Sequence, residues 1–375
     1  MFYREAGDFK TSYGDDSQTF PIKFDRWRYY AVLAVAFGVI PFIINDYWAS
    51  SVLVPFLIYA IAAIGLNILV GYCGQVSLGT GGFMAVGAYA CYKLMTGLDI
   101  YLPGEAEGEW VRYALPPINI FFSVILAGLV TALVTVLFGL PSLRIKGFYL
   151  AVATLAAQFF LVWLFNKWPW AYNYSASGQI NAPERTVFGV PVTGPNTEAW
   201  AQYMICLVFL VALAWVARNL TRGTVGRSWM AIRDMDIAAE IIGVNPLKAK
   251  LTAFAVSGFF VGVAGALFFS VYLGAVEVTE AFGIQKSFLV LFMIIIGGLG
   301  SIFGSLAGAA FLVLLPVFLK NLLVGGLGWA TDLAAHVELM IVGALIVFFL
   351  IVEPHGLAQL WRIMKEKLRL WPFPH

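Results

Sequence analysis

The stretch INIFFSVILAGLVTALVTVLFGL, residues 118–140, decides the fold class, because it contains no charged residue. A helix needs about 20 consecutive apolar residues to cross the hydrocarbon core of a bilayer, and this stretch is long enough. The whole chain agrees with it: 61% of its 375 residues are hydrophobic and 12% are charged, whereas a soluble domain carries about 25% charged residues. The sequence therefore predicts an integral membrane protein with several crossings.

Ten apolar segments along the chain reach or approach the length of a membrane-crossing helix. The short segment Ser287–Gly297 has two interpretations: with Ile302–Leu319 it forms either one kinked crossing or a helical hairpin that turns at GGLGS (297–301). We predict an all-α fold, a polytopic transmembrane helical bundle with about ten membrane segments. The segments are Tyr29–Asn45, Ser51–Val70, Val76–Met95, Ile118–Leu140, Phe148–Phe165, Trp200–Ala217, Leu251–Tyr272, Ser287–Gly297, Ile302–Leu319 and Val337–Val352.

Lysine and arginine are unequally distributed between the two sides of this bundle. With ten crossings and an inner N-terminus, 17 of the 23 basic residues fall on the inner side and 6 on the outer side. Because short cytoplasmic loops carry the excess of Lys and Arg, both termini are predicted to be cytoplasmic. The predicted regions are an N-terminal segment 1–28, a transmembrane domain 29–352 containing the cytoplasmic loop 218–250 and the outer loops 97–117 and 166–199, and a cytoplasmic C-terminal tail 353–375.

Glycine is abundant, with 37 residues, and part of it is spaced for helix packing. Gly258 and Gly262, like Gly300, Gly304 and Gly308, recur every four residues, which places small residues on one helix face and allows close helix contact. The stretch GYCGQVSLGTGGFMAVGA (71–88) adds polar side chains where a span begins. Irregular backbone at membrane depth must be covered by protein or line a cavity, so tight packing and a translocation pathway are both open. The residues predicted for the pathway are Gln75, Ser77, Thr80, Gly297, Gly298 and Gly300.

A short charged segment, GRSWMAIRDMDIAAEIIGV (226–244), interrupts the apolar sequence. Its apolar residues recur at steps of three or four and predict one helix with a single apolar stripe, and Gly243 is placed to end it. A helix lying on lipid keeps mainly Lys and Arg on its polar face, whereas this one carries three acids and two arginines. The pattern favours a protein partner. The stripe consists of Trp229, Ile232, Met235, Ala239 and Ile242.

Several other functions find no support in the residue pattern. Cys73, Cys91 and Cys206 show no metal or redox spacing and are predicted to be buried, and the three histidines do not cluster, so no metal site is predicted. The sequence Gly-x-x-x-x-Gly-Lys-Ser/Thr is absent, so we expect no nucleotide bound in that way. An ion-coupled carrier would bury an acid in a span, but the predicted spans place acids only at their ends. We predict neither an enzyme nor a nucleic-acid-binding protein.

The charged segment and four further motifs resemble one known family. AIRDMDIAAEIIGV (231–244) resembles the cytoplasmic coupling loop of ABC-importer permeases, with the family's Ala-Ala-x-x-x-Gly core at Ala238, Ala239 and Gly243. Ile237 replaces the usual Glu before the two alanines, and the later Leu-Pro is absent, which is typical of the branched-chain amino acid branch. The other motifs, in the order of its LivM-type permease subunits, are GYCGQVSLGTGGFMAVGAYA (71–90), LPSLRIKGFYLAVATLA (140–156), GGLGSIFGSLAGAAFLVLLP (297–316) and VEPHGLAQL (352–360).

The resemblance implies an importer in the bacterial inner membrane. Two homologous permeases pair around a path for branched-chain amino acids, two ATPases dock below, and a periplasmic binding protein delivers the substrate. ATP and Mg are then held by the ATPases, and this chain holds no cofactor. Related permeases carry urea, short amides or aromatic and other carboxylates, so these substrates remain open. The resemblance implies ATPase-coupling roles for Arg233, Asp234, Asp236, Ala238, Ala239 and Gly243.

Overall fold

The computed structural model describes residues 11–12, 23–103, 110–142, 149–187, 189–194, 197–352 and 356–370. Some expectations concern other residues and lie outside the described part. They include most of the N-terminal segment 1–28, the end of the C-terminal tail, the loop residues 104–109, and Arg144 and Lys146 of the LPSLRIKGFYL motif.

Helices make up most of the described chain. Short π-helical stretches extend several of them, at Ala49–Leu53, Ile68–Tyr72, Phe268–Leu273 and Asn321–Gly326. The α-helices are α1 Lys23–Gly38, α2 Ile40–Ile43, α3 Asp46–Trp48, α4 Val54–Asn67, α5 Thr80–Thr96, α6 Ile120–Ser142, α7 Tyr149–Lys167, α8 Ala199–Arg222, α9 Thr224–Asp234, α10 Asp236–Ile241, α11 Pro246–Leu267, α12 Val278–Ala281, α13 Ile284–Gly297, α14 Ile302–Lys320, α15 Thr331–Val352 and α16 Gly356–Leu370.

Nine helical segments of the described chain are long and apolar enough to cross a membrane. Helix α5 adds a tenth segment at the predicted place, but it has only 17 residues and a length of about 25 Å at 1.5 Å per residue. That is shorter than the roughly 30 Å of hydrocarbon in a bilayer. The polytopic helical bundle predicted from the sequence is therefore confirmed, with one segment that begins inside the bundle.

The centre of the bundle is formed by the segments that contain α4 and α11. In the Asp46–Tyr72 segment 89% of the most apolar stretch of 18 residues is buried inside the protein, and in the Pro246–Leu273 segment the share is 83%. Both are apolar around the whole helix circumference, as expected for helices enclosed by other helices. In the two least buried segments, Thr331–Val352 and Arg26–Ile43, the same share is 6% and 0%. These peripheral helices present apolar side chains to the surroundings of the chain.

The region of α13 and α14 is a helical hairpin, which decides between the two interpretations of residues 287–319. A Cβ at position 308 would lie 1.8 Å from the carbonyl oxygen of Met293, and a Cβ at position 297 would lie 2.0 Å from that of Gly304. These pairs are antiparallel partners on either side of the turn. Gly304 and Gly308 pack as predicted, whereas Gly300 lies in the turn itself, outside α14.

Helices α6 and α11 approach each other in the same manner. A Cβ at position 258 would lie 1.9 Å from Oγ1 of Thr135, and one at position 262 would lie 2.4 Å from Oγ1 of Thr131. The packing role predicted for Gly258 and Gly262 is therefore confirmed. The three cysteines are free and buried, also as predicted.

Short antiparallel ribbons occupy the two long connections of the described chain. Strands β1 (Leu98–Pro103) and β2 (Trp110–Leu115) pair with each other. In the second connection β4 (Arg185–Val187) pairs with β5 (Val190–Thr193). Strand β3 (Ile180–Asn181) pairs instead with β6 (Ala275–Val276), which follows α11. This last pair attaches the second long connection to the segment that leads into α12 and α13.

Candidate functional site

The charged segment forms two helices, α9 and α10, and the prediction of one continuous helix is wrong. The chain is extended at Met235, with φ −158° and ψ 100°, so the two helices point in different directions. The predicted stripe is consequently divided. Trp229, Ile232 and Ala239 are buried, whereas Met235 is 70% exposed and Ile242 is 75% exposed.

Helix α9 is fixed to the membrane bundle by two side chains. The indole Nε1 of Trp229, which is fully buried, donates to Oγ1 of Thr252 in α11 at 3.0 Å. The guanidinium Nη1 of Arg233 donates to the carbonyl oxygen of Gly71 at 3.0 Å. Arg233 also forms an ion pair with Asp234, with Nη2 and Oδ1 2.9 Å apart.

The Arg233 side chain also covers both glycine-rich stretches noted in the sequence. A Cβ at position 74 would lie 3.0 Å from its Cγ, and one at position 300 would lie 3.3 Å from its Nη1. The resemblance implies an ATPase-coupling role for Arg233. In the structure it points into its own bundle and connects α9 to the end of the α4 segment and to the α13–α14 turn.

Helix α10 presents an apolar surface. Ile237 is 68% exposed and Ile241 is 81% exposed. Ala238 is exposed on the same short helix, whereas Ala239 is buried against the chain itself. Gly243 ends the helix with φ +92°.

The end of α10 has the two hydrogen bonds of a Schellman motif. The amide of Gly243 donates to the carbonyl of Glu240 at 3.0 Å, and the amide of Val244 donates to that of Ala239 at 2.9 Å. Glycine adopts this left-handed conformation at the least cost, which explains why the predicted helix stop at Gly243 is correct.

Between the α4 segment and α5 the chain is unwound over residues 73–79. One end of this unwound segment lies at Gly74 beside Arg233 of α9. The other end begins α5, whose far end holds Lys93 against Asn173 in the connection after α7. The N-terminus of α5 is enclosed by the bundle, since Thr80, Gly81 and Gly82 are buried.

Side chains of other helices satisfy the backbone amides at this N-terminus. The amide of Leu78 donates to Oγ1 of Thr154 at 2.9 Å, and that of Gly81 donates to Oγ of Ser287 at 2.8 Å. The amide of Gly82 donates to Oε1 of Gln158. Such partners are required because the bilayer core offers no water to unpaired amides.

Gln158 connects this network to a further break in the chain. Its Nε2 donates to the carbonyl of Phe282 at 2.8 Å, and Phe282 lies between α12 and α13. Its Oε1 also accepts from Oγ of Ser287 at 3.0 Å. One buried glutamine thereby holds together the unwound starts of α5 and α13.

Asn67 holds the α13–α14 turn in a comparable way. Its Oδ1 accepts from the amide of Gly300 at 2.9 Å. Its Nδ2 donates to the carbonyl of Ser301 at 2.9 Å and to Oγ of Ser305 at 2.7 Å. The last residue of α4 and the hairpin turn are thus one hydrogen-bonded unit, and Arg233 lies against it.

The residues predicted for a pathway fall into two groups. Ser77 and Thr80 are buried and line a cavity of about 10 Å³ together with Thr135 and Ser257. Oγ1 of Thr80 has no hydrogen-bond partner, and Gln75 is half-buried. The second group is Gly297, Gly298 and Gly300 in the hairpin; Gly297 packs against Gly304, and Gly298 and Gly300 have φ values of +113° and +74°.

Sequence reasoning missed three polar residues that organise these sites: Asn67, Gln158 and Lys286. The first two are amides inside apolar runs, a signal that was present in the sequence. Lys286 was assigned to the outer end of a span. In the structure α13 begins at Ile284, so Lys286 lies in its first turn, within the candidate span Val278–Gly297. Glu338 was likewise predicted to lie at a span end. In the structure α15 begins at Thr331, so this acid lies inside the helix.

Comparisons with known proteins agree on one family. The model for "Branched-chain amino acid transport system / permease component" matches residues 48–350. The chain is 30% identical over 351 residues to the high-affinity branched-chain amino acid transport system permease protein LivM of Salmonella typhimurium and to that of Escherichia coli, covering 88% of this chain and 74% of each relative.

A more distant similarity is to an archaeal protein. The probable branched-chain amino acid transport permease protein LivM of Methanocaldococcus jannaschii is 25% identical over 332 residues, covering 82% of this chain and 92% of the relative. No solved structure matches the chain at a significant level.

Proposed function

Since the chain belongs to the family of branched-chain amino acid transport permeases and is a permease subunit of an ABC importer, we propose that it forms half of the translocation pathway for leucine, isoleucine and valine. The observation that carries the proposal is the Arg233 joint, which links a surface helix to two breaks in the membrane bundle. A joint of this kind is what an importer needs to convert motion of an ATPase into motion of the pathway.

In the proposed mechanism the ATPase docks on α10. Exposed Ile237, Ile241 and Ile242 supply apolar area for a groove, since burial of apolar surface drives association. Ala238 allows close approach, and Asp234 and Asp236 lie beside the contact for pairing with basic residues on the groove rim. Ala239 contributes from inside, as a packing residue under α10.

Force then passes from α10 through α9 to the bundle. Helix α9 cannot slide freely, because Trp229 and Arg233 are hydrogen-bonded to α11 and to the end of the α4 segment. A displacement of α9 therefore displaces Gly71 and the turn at Gly300 together. The proposed pathway residues Gln75, Ser77 and Thr80 follow Gly71 directly along the chain, so the same displacement reaches them.

The remaining parts of the importer belong to other polypeptides in this proposal. Two ATPase subunits hold ATP and Mg, and this chain has neither a cofactor nor catalytic activity of its own. A homologous second permease supplies the other half of the path, and a periplasmic binding protein delivers the substrate to the ribbon-bearing loops. The complex lies in the bacterial inner membrane, with both termini and residues 218–250 on the cytoplasmic side.

Two alternatives differ in substrate or in energy source. An importer of the same type for urea, short amides or other carboxylates has the same architecture and differs in what it carries. An ion-coupled carrier would use an intramembrane acid such as Glu338 in α15. Membership of the ABC permease family favours ATP as the energy source.

The proposal is tested with the complete importer in proteoliposomes. Wild type should accumulate labelled leucine with ATP, and Ile241→Asp should lose its ATPases on purification because a charge replaces buried apolar area. Arg233→Met should keep its ATPases but carry fewer leucines per ATP, while Arg227→Met, an exposed residue on the same helix, should behave as wild type. Normal docking and transport in Ile241→Asp would contradict the docking surface, and normal coupling in Arg233→Met would contradict the joint.

A further inference from the structure

A lysine lies in the membrane-spanning part of the described chain with its charge directed into the bundle. The Nζ of Lys286 donates to the phenolic oxygen of Tyr59 at 2.8 Å. It also lies 5.5 Å from the centre of the Tyr59 ring and 5.1 Å from that of Phe268. Tyr59 and Phe268 are buried, so the ammonium group rests on the aromatic core.

The depth of this lysine follows from its partner. The Asp46–Tyr72 segment has 27 residues, and Tyr59 is its middle residue, about 20 Å of helix from either end. Lys286 itself precedes the inner end of its own segment, at Gly297, by about three helical turns. Phe268, its other partner, lies five residues before the end of the Pro246–Leu273 segment. The ammonium therefore lies within the membrane-spanning part, between its middle and its outer boundary, where a charged side chain is costly and is retained for a function.

No acid among the described residues neutralises this charge. The partners of Lys286 are the Tyr59 hydroxyl and the two rings named above. A hydroxyl and aromatic rings are weak partners for an ammonium group compared with a carboxylate. A stronger anionic partner would therefore draw Lys286 away from them.

The surroundings of Lys286 favour an anion rather than a permanent internal bond. The residue next to it, Ser287, belongs to the network that caps the N-terminus of α5, and helix N-termini attract negative charge. Lys286 is half-buried, and its neighbour Gln285 is exposed. Because its side chain is only half-buried and its stem is flexible, the ammonium is not enclosed on all sides.

We infer that Lys286 binds the carboxylate of the substrate as it enters the membrane-spanning part from outside, with Tyr59 holding the ammonium group between transport cycles. This inference rests on the proposed function and specifies its substrate class as carboxylate-bearing molecules, amino acids in particular. Urea and neutral amides carry no negative charge and gain nothing from the ammonium group. Lys286 thus acts as a selectivity residue inside the permease itself.

The test uses the complete importer in proteoliposomes, supplied with a saturating amount of its leucine-loaded binding protein. Lys286→Gln should transport leucine about 10- to 100-fold more slowly, the change expected when one hydrogen bond between charged groups is lost. Its ATPases and second permease should still co-purify, Lys286→Arg should retain most of the rate, and Gln285→Ala should match wild type.

Chemical restoration of the charge separates substrate binding from a structural role. Lys286→Cys should be slow and should recover when 2-aminoethyl methanethiosulfonate attaches an amino group, but not when the neutral methyl methanethiosulfonate is used. The native cysteines are buried, and wild type treated with the same reagents is the control. Leucine should also slow the modification of this cysteine.

Three results would overturn the inference. They are a wild-type rate in Lys286→Gln, equal recovery with the charged and the neutral reagent, and loss of the second permease from Lys286→Gln together with no leucine protection of Lys286→Cys. The last result would assign Lys286 to the subunit interface. Leucine accumulation by the wild type is measured first. If the wild type does not accumulate leucine, the proposed function itself is wrong.

Discussion

The two glycine-rich stretches of this protein use glycine for different purposes. In residues 71–82 the missing side chain of Gly82 leaves space for a polar group of another helix, since a Cβ there would lie 3.1 Å from Oε1 of Gln158. In residues 297–308 they allow two backbones to touch, with a Cβ at position 308 only 1.8 Å from the Met293 carbonyl oxygen. In the first stretch the helix is interrupted and its amides are bonded to side chains of other helices. In the second stretch the absence of side chains lets two helices pack closely.

The two stretches look alike in sequence but depend on different interactions. Both stretches combine glycine with polar residues, Gln75, Ser77 and Thr80 in the first and Ser301 and Ser305 in the second. The unwound segment is held by specific acceptors, so its integrity depends on Thr154, Gln158 and Ser287 in other helices. The hairpin depends on volume alone at its tightest contacts and on Asn67 at its turn.

The largest expected effect is on the hairpin. Gly308→Leu puts a side chain where the Met293 carbonyl stands, and since overpacking costs about 1–3 kcal/mol even where neighbours can shift, contact with backbone should prevent folding. The measurement is the yield and thermal stability of the purified permease. Gly343→Leu, in α15 with open space around it, is the control, and a stable Gly308→Leu protein would refute the close contact.

The next effect is on the unwound segment. Gln158→Leu keeps the volume but leaves the amide of Gly82 and the carbonyl of Phe282 without their partner, at about 1–3 kcal/mol each. We expect a clear drop in thermal stability of the assembled importer. The same change at exposed Gln285 should cost little, and equal stability of the two variants would show that the start of α5 needs no cap.

The smallest effect should come from Thr80→Val. The hydroxyl of Thr80 has no partner, so its removal should alter stability by less than about 1 kcal/mol. If Thr80 contacts the substrate in another conformation, leucine uptake should nonetheless fall about threefold, the equivalent of one weak neutral hydrogen bond. Uptake at the wild-type rate, also in a variant with alanine at Gln75, Ser77 and Thr80, would remove this segment from the pathway.

Much of the membrane bundle could be predicted because apolar length and glycine spacing are local properties of the sequence. The stop at Gly243 is local too, since it depends on one residue that tolerates a left-handed conformation. The break at Met235 is not: the helical pattern continues through it, and the buried anchors Trp229 and Ile232 on one side and Ala239 on the other impose the bend. Tertiary packing overrides periodicity there.

The polar sites were only partly predictable for a similar reason. Lys286 was set at a span end because the predicted apolar segment begins at Ser287, whereas α13 begins at Ile284 and includes it. The role of Arg233 also depends on a contact across 162 positions of the chain. Sequence spacing does not report on partners at that distance.

The cap on α5 has a consequence for biosynthesis. The amide of Gly81 is completed by a hydroxyl at Ser287, 206 residues further along the chain. At roughly 5–20 residues per second, the ribosome makes that hydroxyl about 10–40 s after it has made the amide. During this time the start of α5 has no partner from α13, so the nascent chain must keep this region near water, or beside the insertion machinery, until about three quarters of the protein have been translated.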